Sequence, residues 1–182
     1  NQAMIYGCDG GRIDIVNFAI SKGANNWNWG LAYACAGGHM DIVKLMISKG
    51  PDEWSMGMVY ACRSGHIDIV KLMISHGATD WNTGMAYACL SGHIDIVKLM
   101  ISKGASAWNL GTGHAYRKGH TDIFNLMILN LGHIPDYVSY LTEEQLYLFY
   151  KSGIVPCIKF QSDFARLKVV NDATKANLGQ LL

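Results

Sequence analysis

Trp27, Trp54, Trp81 and Trp108 stand 27 residues apart, and most other residue types keep step with them. Gly38-His39 returns as Gly65-His66, Gly92-His93 and Gly119-His120, with Gly11-Arg12 one period earlier. A fixed period of this size means one small unit copied and stacked, each copy burying its apolar face against the next. Such a stack presents an extended surface instead of one deep pocket, and it favours recognition over catalysis.

Half of the 182 residues are apolar, 10% are aromatic and only 16% are charged, which supplies a continuous core under a lightly charged exterior. The formal net charge is +1, and the basic residues are spread along the array. A nucleic-acid partner would call for Lys and Arg clustered on one face, so nucleic acid is excluded as the expected partner. No apolar run approaches the roughly 18 residues that span a bilayer, so no membrane partner is expected. The chain opens at Asn1 within a repeat that lacks its Trp, as a segment of a longer array would.

Cys8, Cys35, Cys62 and Cys89 occupy one slot of successive repeats. Neighbouring helices pack about 8–10 Å apart, whereas a disulfide needs Cα atoms within about 7 Å. These cysteines are therefore expected to stay reduced as small buried apolar residues, which suits an intracellular setting. The same separation argues against a shared metal site.

Each unit reads as two short helices. In the second copy, Gly30 to Cys35 forms helix A, whose small residues at 32, 34 and 35 allow close approach. Gly37-Gly38 ends it, as Ser64-Gly65 and Ser91-Gly92 do later. Helix B runs from about His39 to Lys49. Asp41, Asp68 and Asp95 fall in its first turn, where the helix dipole favours negative charge. Lys44, Lys71 and Lys98 follow at ion-pair spacing. Ile42, Val43, Met46 and Ile47 form a broad apolar stripe, and Gly50, Gly77 and Gly104 are stop signals. All glycines are thus accounted for as punctuation, leaving none for a phosphate loop. The four Trp rings are expected to plug the seams between repeats; the alternative is an exposed stacking ladder for bases or sugars. Trp29 differs: its slot holds Met56, Thr83 and Leu110 in the other copies, so the repeat does not need it.

These residues resemble ankyrin repeats. The helix-B signature of that family, Gly-His-x-x-Ile-Val-x-x-Leu-Leu-x-x-Gly-Ala, is matched by Gly65-His66, Ile69-Val70, Met73-Ile74 and Gly77-Ala78, and again from Gly92-His93 to Gly104-Ala105. The resemblance covers residues 1 to about 130. It implies an all-α solenoid of stacked helix-turn-helix units that binds another protein. Family units run to 33 residues, six more than these, and the shortfall follows Gly-Ala, where the family builds a β-hairpin; shortened loops are expected there. The Asp80-Trp81-Asn82 loop makes the array similar to those of large DNA viruses, which would place the protein in a host cell or a virion.

The array is expected to span 1–131 and a divergent capping unit with its tail 132–182. Pro135 marks the boundary, Thr142 with Glu143 and Glu144 reads as a helix start, and Ser152-Gly153 restores the break between helices A and B.

Catalytic constellations conflict with the periodicity. His39, His66, His93 and His120 lie one repeat apart and should brace loops instead of converging on a metal or a proton. Cys89 and His93 suggest a nucleophile and base, but the pair recurs at Cys62/His66 and Cys35/His39, and active sites are not triplicated. His76 and His114 are expected to be surface variations. Neither a catalytic residue, a metal nor a cofactor is expected, and the chain reads as non-enzymatic. Recognition is expected where copies differ: the slot before helix A (Trp29, Met56, Thr83, Leu110), the slot near its end (Ala36, Arg63, Leu90, Arg117), and the loop row Asn26, Glu53, Asp80 and Ala107. Two other roles are compatible with such an array. One is a structural component of a viral particle or assembly. The other is a ubiquitin-ligase adaptor, since Ile134-Pro135-Asp136-Tyr137 followed by Leu141 is faintly similar to the start of an F-box.

Overall fold

The computed structural model describes residues 1–131. The expectations for residues 132–182, both the capping unit and the F-box-like start, lie outside the described residues. Asn1–Ile123 form one compact unit, and a second begins at Phe124. The described residues contain ten α-helices and no strand. Helices of the A type are α1 (Gln2–Asp9), α3 (Trp27–Gly37), α5 (Trp54–Ser64), α7 (Trp81–Ser91) and α9 (Trp108–Lys118). Those of the B type are α2 (Ile13–Ser21), α4 (Met40–Ile47), α6 (Ile67–Ser75), α8 (Ile94–Ser102) and α10 (Thr121–Leu131), the last crossing the unit boundary.

Within the first unit α1, α3, α5 and α7 each pack on their own B helix and A helices pack on those of the neighbouring repeats, while B helices touch one another little. Side-chain size explains this asymmetry. The inner face of helix A carries Gly57, Ala61 and Cys62, all buried, whereas helix B buries Ile69, Val70 and Met73. Small residues let helix axes approach; branched and long ones hold them apart.

One cluster recurs at two levels of the stack. A Cβ on Gly57 would lie 2.9 Å from Sδ of Met73 and 3.3 Å from Sγ of Cys35 in the preceding repeat. The same set recurs at Gly84 with Met100 and Cys62. These glycines sit inside helix A and serve close packing, which corrects their assignment as punctuation. The cysteines are buried and free, and burial pushes the thiols up to about 11 at Cys8 and about 12 at Cys35, Cys62 and Cys89. Thiols held this firmly protonated are weak nucleophiles, a second argument against a repeated Cys–His active site.

The punctuation glycines are of two kinds. At Gly65 the chain turns with φ +88°, and His66 N–H closes the helix end on the Ala61 carbonyl (3.1 Å). The ring of His93, from the next repeat, lies where a Cβ on Gly65 would be, its Cε1 only 2.6 Å from that position. Gly77, after helix B, has φ +104° but open space around it. The histidine column is thus an inter-repeat latch. Nε2–H of His39 donates to the Asp9 carbonyl (3.0 Å), that of His66 to Ala36 (3.2 Å) and that of His120 to Leu90 (3.3 Å). A carbonyl only accepts, so Nε2 carries the proton in each.

A second tie went unnoticed in the sequence although its period is plain at Asn1, Asn28, Ser55 and Asn82. Asn82 Oδ1 accepts from the backbone N–H groups of Ser106 (2.7 Å) and Ala107 (3.0 Å) in the next loop. Asn1 does the same for Asn25 and Asn26, and Asn28 for Asp52 and Glu53. Ser55, with one short oxygen, holds Thr79 alone. These loops lack a hairpin to satisfy their amides, and the preceding repeat supplies the acceptor.

Of the expected Asp–Lys pairs in the first turn of helix B, only Lys71–Asp68 closes, at 3.9 Å and well exposed; such a pair contributes little. The four tryptophans are half-buried at the head of helix A instead of sealed into seams. Trp54 lies flat on the ring of His76, at the end of its own helix B, with centroids 4.7 Å apart.

Candidate functional site

Helix A begins at its tryptophan, three residues earlier than the spacing suggested. Trp29, Met56, Thr83 and Leu110 therefore occupy the third position of helix A, not a slot before it. On a helix of 3.6 residues per turn, positions 29, 33 and 36 fall on one stripe. The expected first and second rows thus share a face, and a column that does not vary lies between them: Tyr33, Tyr60 and Tyr87, with His114 in the fourth copy. The tyrosines escaped notice because identical residues were assigned to the stack. They are half-buried or exposed, and their spacing, four after the variable slot and three before the next, was the available signal.

The face differs along its length. Between α3 and α5 it is filled: Trp29 lies 5.9 Å from Tyr33 and edge-on to Tyr60 at 6.4 Å, and Tyr33 is 5.7 Å from Tyr60, centroid to centroid. Burial first, and then the neighbouring Tyr33, raises the Tyr60 phenol above its ordinary value. Between α7 and α9 the face is hollow. A cavity of about 220 Å³ is lined by Asn82, Thr83, Ala86, Tyr87, Ala107, Leu110 and His114. The guanidinium of Arg63 stands 5.9 Å over the Tyr87 ring. Arg117 Nη2 donates to His114 Nδ1 at 2.7 Å. Burial and then Arg117 lower the pKa of His114, consistent with a neutral ring that accepts at Nδ1.

The family model for ankyrin repeats, three copies, matches residues 31–110. The repeats of residues 31–110 are ankyrin repeats. A comparison with curated proteins gives no significant match. Ankyrin repeats are protein–protein interaction modules, and in this array the surface available to a partner includes the helix-A stripe. Trp29 is 40% exposed and Leu110 51%, while Met56 and Thr83 are half-buried. Arg63 and Arg117 are exposed; Ala36 and Leu90 are half-buried, and their carbonyls receive the histidine latches.

The loop row has a different local role. Asn26 caps α3 by accepting from Trp29 N–H (3.4 Å), and Asp80 caps α7 by accepting from Thr83 N–H (3.2 Å). Glu53 and Ala107 make no such cap. Among the described residues no group of His, Cys, Asp and Glu could hold a metal ion, and no helix is long and apolar enough to cross a membrane.

Proposed function

We propose that the chain is a non-enzymatic scaffold that binds a partner protein through the exposed face of its A helices, with Trp29, Tyr33, Tyr60, Arg63, Tyr87, Leu110 and Arg117 as its contact residues. The observation that carries this is the aromatic and apolar stripe that no neighbouring helix covers. Trp29 on α3, Tyr87 on α7 and Leu110 on α9 are large hydrophobic side chains left exposed on the same stripe of the A helices. Large apolar groups gathered on one face, with arginines at the edge, have the composition of a protein-binding surface. The half-buried Met56 and Thr83 set the depth of this face between the larger residues, and Asn26, Glu53 and Asp80 border it at the loop end.

The test compares affinity capture by the wild type from cells that express the chain with capture by two variants. Tyr87→Ala with Leu110→Ser changes the A face; Lys71→Glu with Lys98→Glu changes exposed positions on helices B. The first should lose its partners and keep its helical circular dichroism, and the second should keep both. Partner loss confined to the helix-B variant would refute the assignment.

A further inference from the structure

The hollow between α7 and α9 differs from the rest of the face in shape and in charge. Its volume, about 220 Å³, is below the roughly 300–1,000 Å³ of small-molecule sites, so it suits one side chain better than a whole ligand. The walls are apolar at Ala86, Ala107, Leu110 and the Tyr87 ring. Two cations stand at its rim, Arg63 against Tyr87 and Arg117 against His114. Neither arginine is ion-paired with a carboxylate among the described residues. Arg63 meets the Tyr87 ring face, and Arg117 donates to the Gly113 carbonyl and to His114 Nδ1, which leaves other guanidinium N–H donors for an incoming acceptor. The acidic side chains of the same face, Glu53 and Asp80, are at the N-terminal ends of the A helices, whereas the two arginines are near the C-terminal ends, and Asp80 already accepts from Thr83 N–H.

Resting on the helix-A face as the partner surface, we infer that the hollow receives an apolar side chain, of leucine or methionine size, from a linear segment of the partner protein, next to Asp or Glu residues held by Arg63 and Arg117. Charge complementarity selects this occupant. A basic segment would meet two uncompensated guanidinium groups, and an uncharged one would leave both donors unused. The apolar anchor excludes water from the hollow, and guanidinium–carboxylate pairs at the rim set the register. Thr83 is the residue that keeps the hollow open: the same slot in the second repeat holds Trp29, which fills the space over Tyr33 and Tyr60.

The experiment selects short random linear peptides displayed on phage against the full chain, then maps the winners by amide hydrogen exchange. Enriched sequences should place Asp or Glu beside a Leu or Met and should protect α7 and α9. Arg63→Gln and Arg117→Gln should each weaken them about tenfold, the effect of losing one charge-assisted contact. Thr83→Trp should weaken them at least as much, and the second repeat shows that its helix accommodates Trp at that slot. Enrichment of basic or uncharged peptides, or no enrichment, overturns the inference. So does protection of α7 and α9 that is insensitive to all three substitutions, although the helix-A face then stands as the partner surface. Protection confined to helices B overturns both. Self-association of the chain that Arg63→Gln and Arg117→Gln abolish would assign the hollow to a second copy and overturn the linear-peptide occupant.

Discussion

The junction of α3 with α5 and that of α7 with α9 are built alike at the back and differently at the front. At the back, Gly30 faces Met46 as Gly84 faces Met100, Asn28 and Asn82 each hold two amides of the next loop, and His66 and His120 latch onto carbonyls 30 residues earlier. At the front, Trp29 fills one junction where Thr83 leaves the other open. The stack tolerates this difference because the glycine, asparagine and histidine ties are the same at both junctions. Repetition therefore secures stability, and a single slot that escapes it is enough to create a recognition feature.

The largest effect should come from the back. Met46 and Met100 are fully buried at equivalent sites, so Met46→Ala and Met100→Ala should each lower stability by about 2–5 kcal/mol, read from urea unfolding midpoints. Nearly equal losses would support equivalence; a gap above about 2 kcal/mol, the scale of a whole buried side chain, would mean that the two backs are not copies.

The glycines separate latch from stop. Gly92 has φ +86° and the His120 ring 2.7 Å from where its Cβ would be, whereas Gly104 has φ +100° and open space. Gly92→Ala should cost about 2–3 kcal/mol, from left-handed strain together with a displaced latch, and Gly104→Ala only the strain of about 1 kcal/mol. Equal costs in denaturant unfolding would show that the latch contributes nothing.

At the front the exchange should be milder. Trp29→Thr removes two ring contacts from an exposed site and should cost about 1 kcal/mol. Thr83→Trp should leave stability nearly unchanged while closing the hollow, so that the α7–α9 junction comes to resemble that of α3 with α5 in a crystal structure of the variant. A hollow still open around the new ring would break the argument that this slot decides between the two forms.

Much of the back was legible in the sequence. The glycines that end the helices, the buried Cys and the helix-B stripe were read as they stand in the structure, and helices B lie where they were expected. The start of helix A was misjudged because Trp27-Asn28-Trp29 carries no propensity signal, and the capping by Asn26 and Asp80 was not foreseen. Mid-helix Gly57 was taken for punctuation because its role depends on Met73 and Cys35, one in the following helix and the other a repeat away. The tyrosine column was hidden by the assumption that sameness means burial. It holds for the cysteines and fails for Tyr87, because identical backbones expose identical faces as readily as they bury them.

The smallest effect expected concerns His114, which takes the place of that column's tyrosine. Burial and Arg117 lower its pKa below the ordinary 6.5, so in the native protein the ring releases its proton at lower pH than in the unfolded chain. The unfolded state therefore binds more protons between those two values, and stability rises with pH across that window. The contribution is fully present above about pH 7.5 and falls as the pH drops through 6.5 toward the lowered value, below which it is constant. His114→Tyr removes it and restores the ring found at Tyr33 and Tyr60. The difference in urea midpoint between wild type and variant should shift in the variant's favour on going from about pH 8 to about pH 5. A shift in the opposite direction would mean that the ring is protonated in the native state. Arg117 could not then donate to Nδ1, and the α9 rim of the hollow would be held by something other than that hydrogen bond.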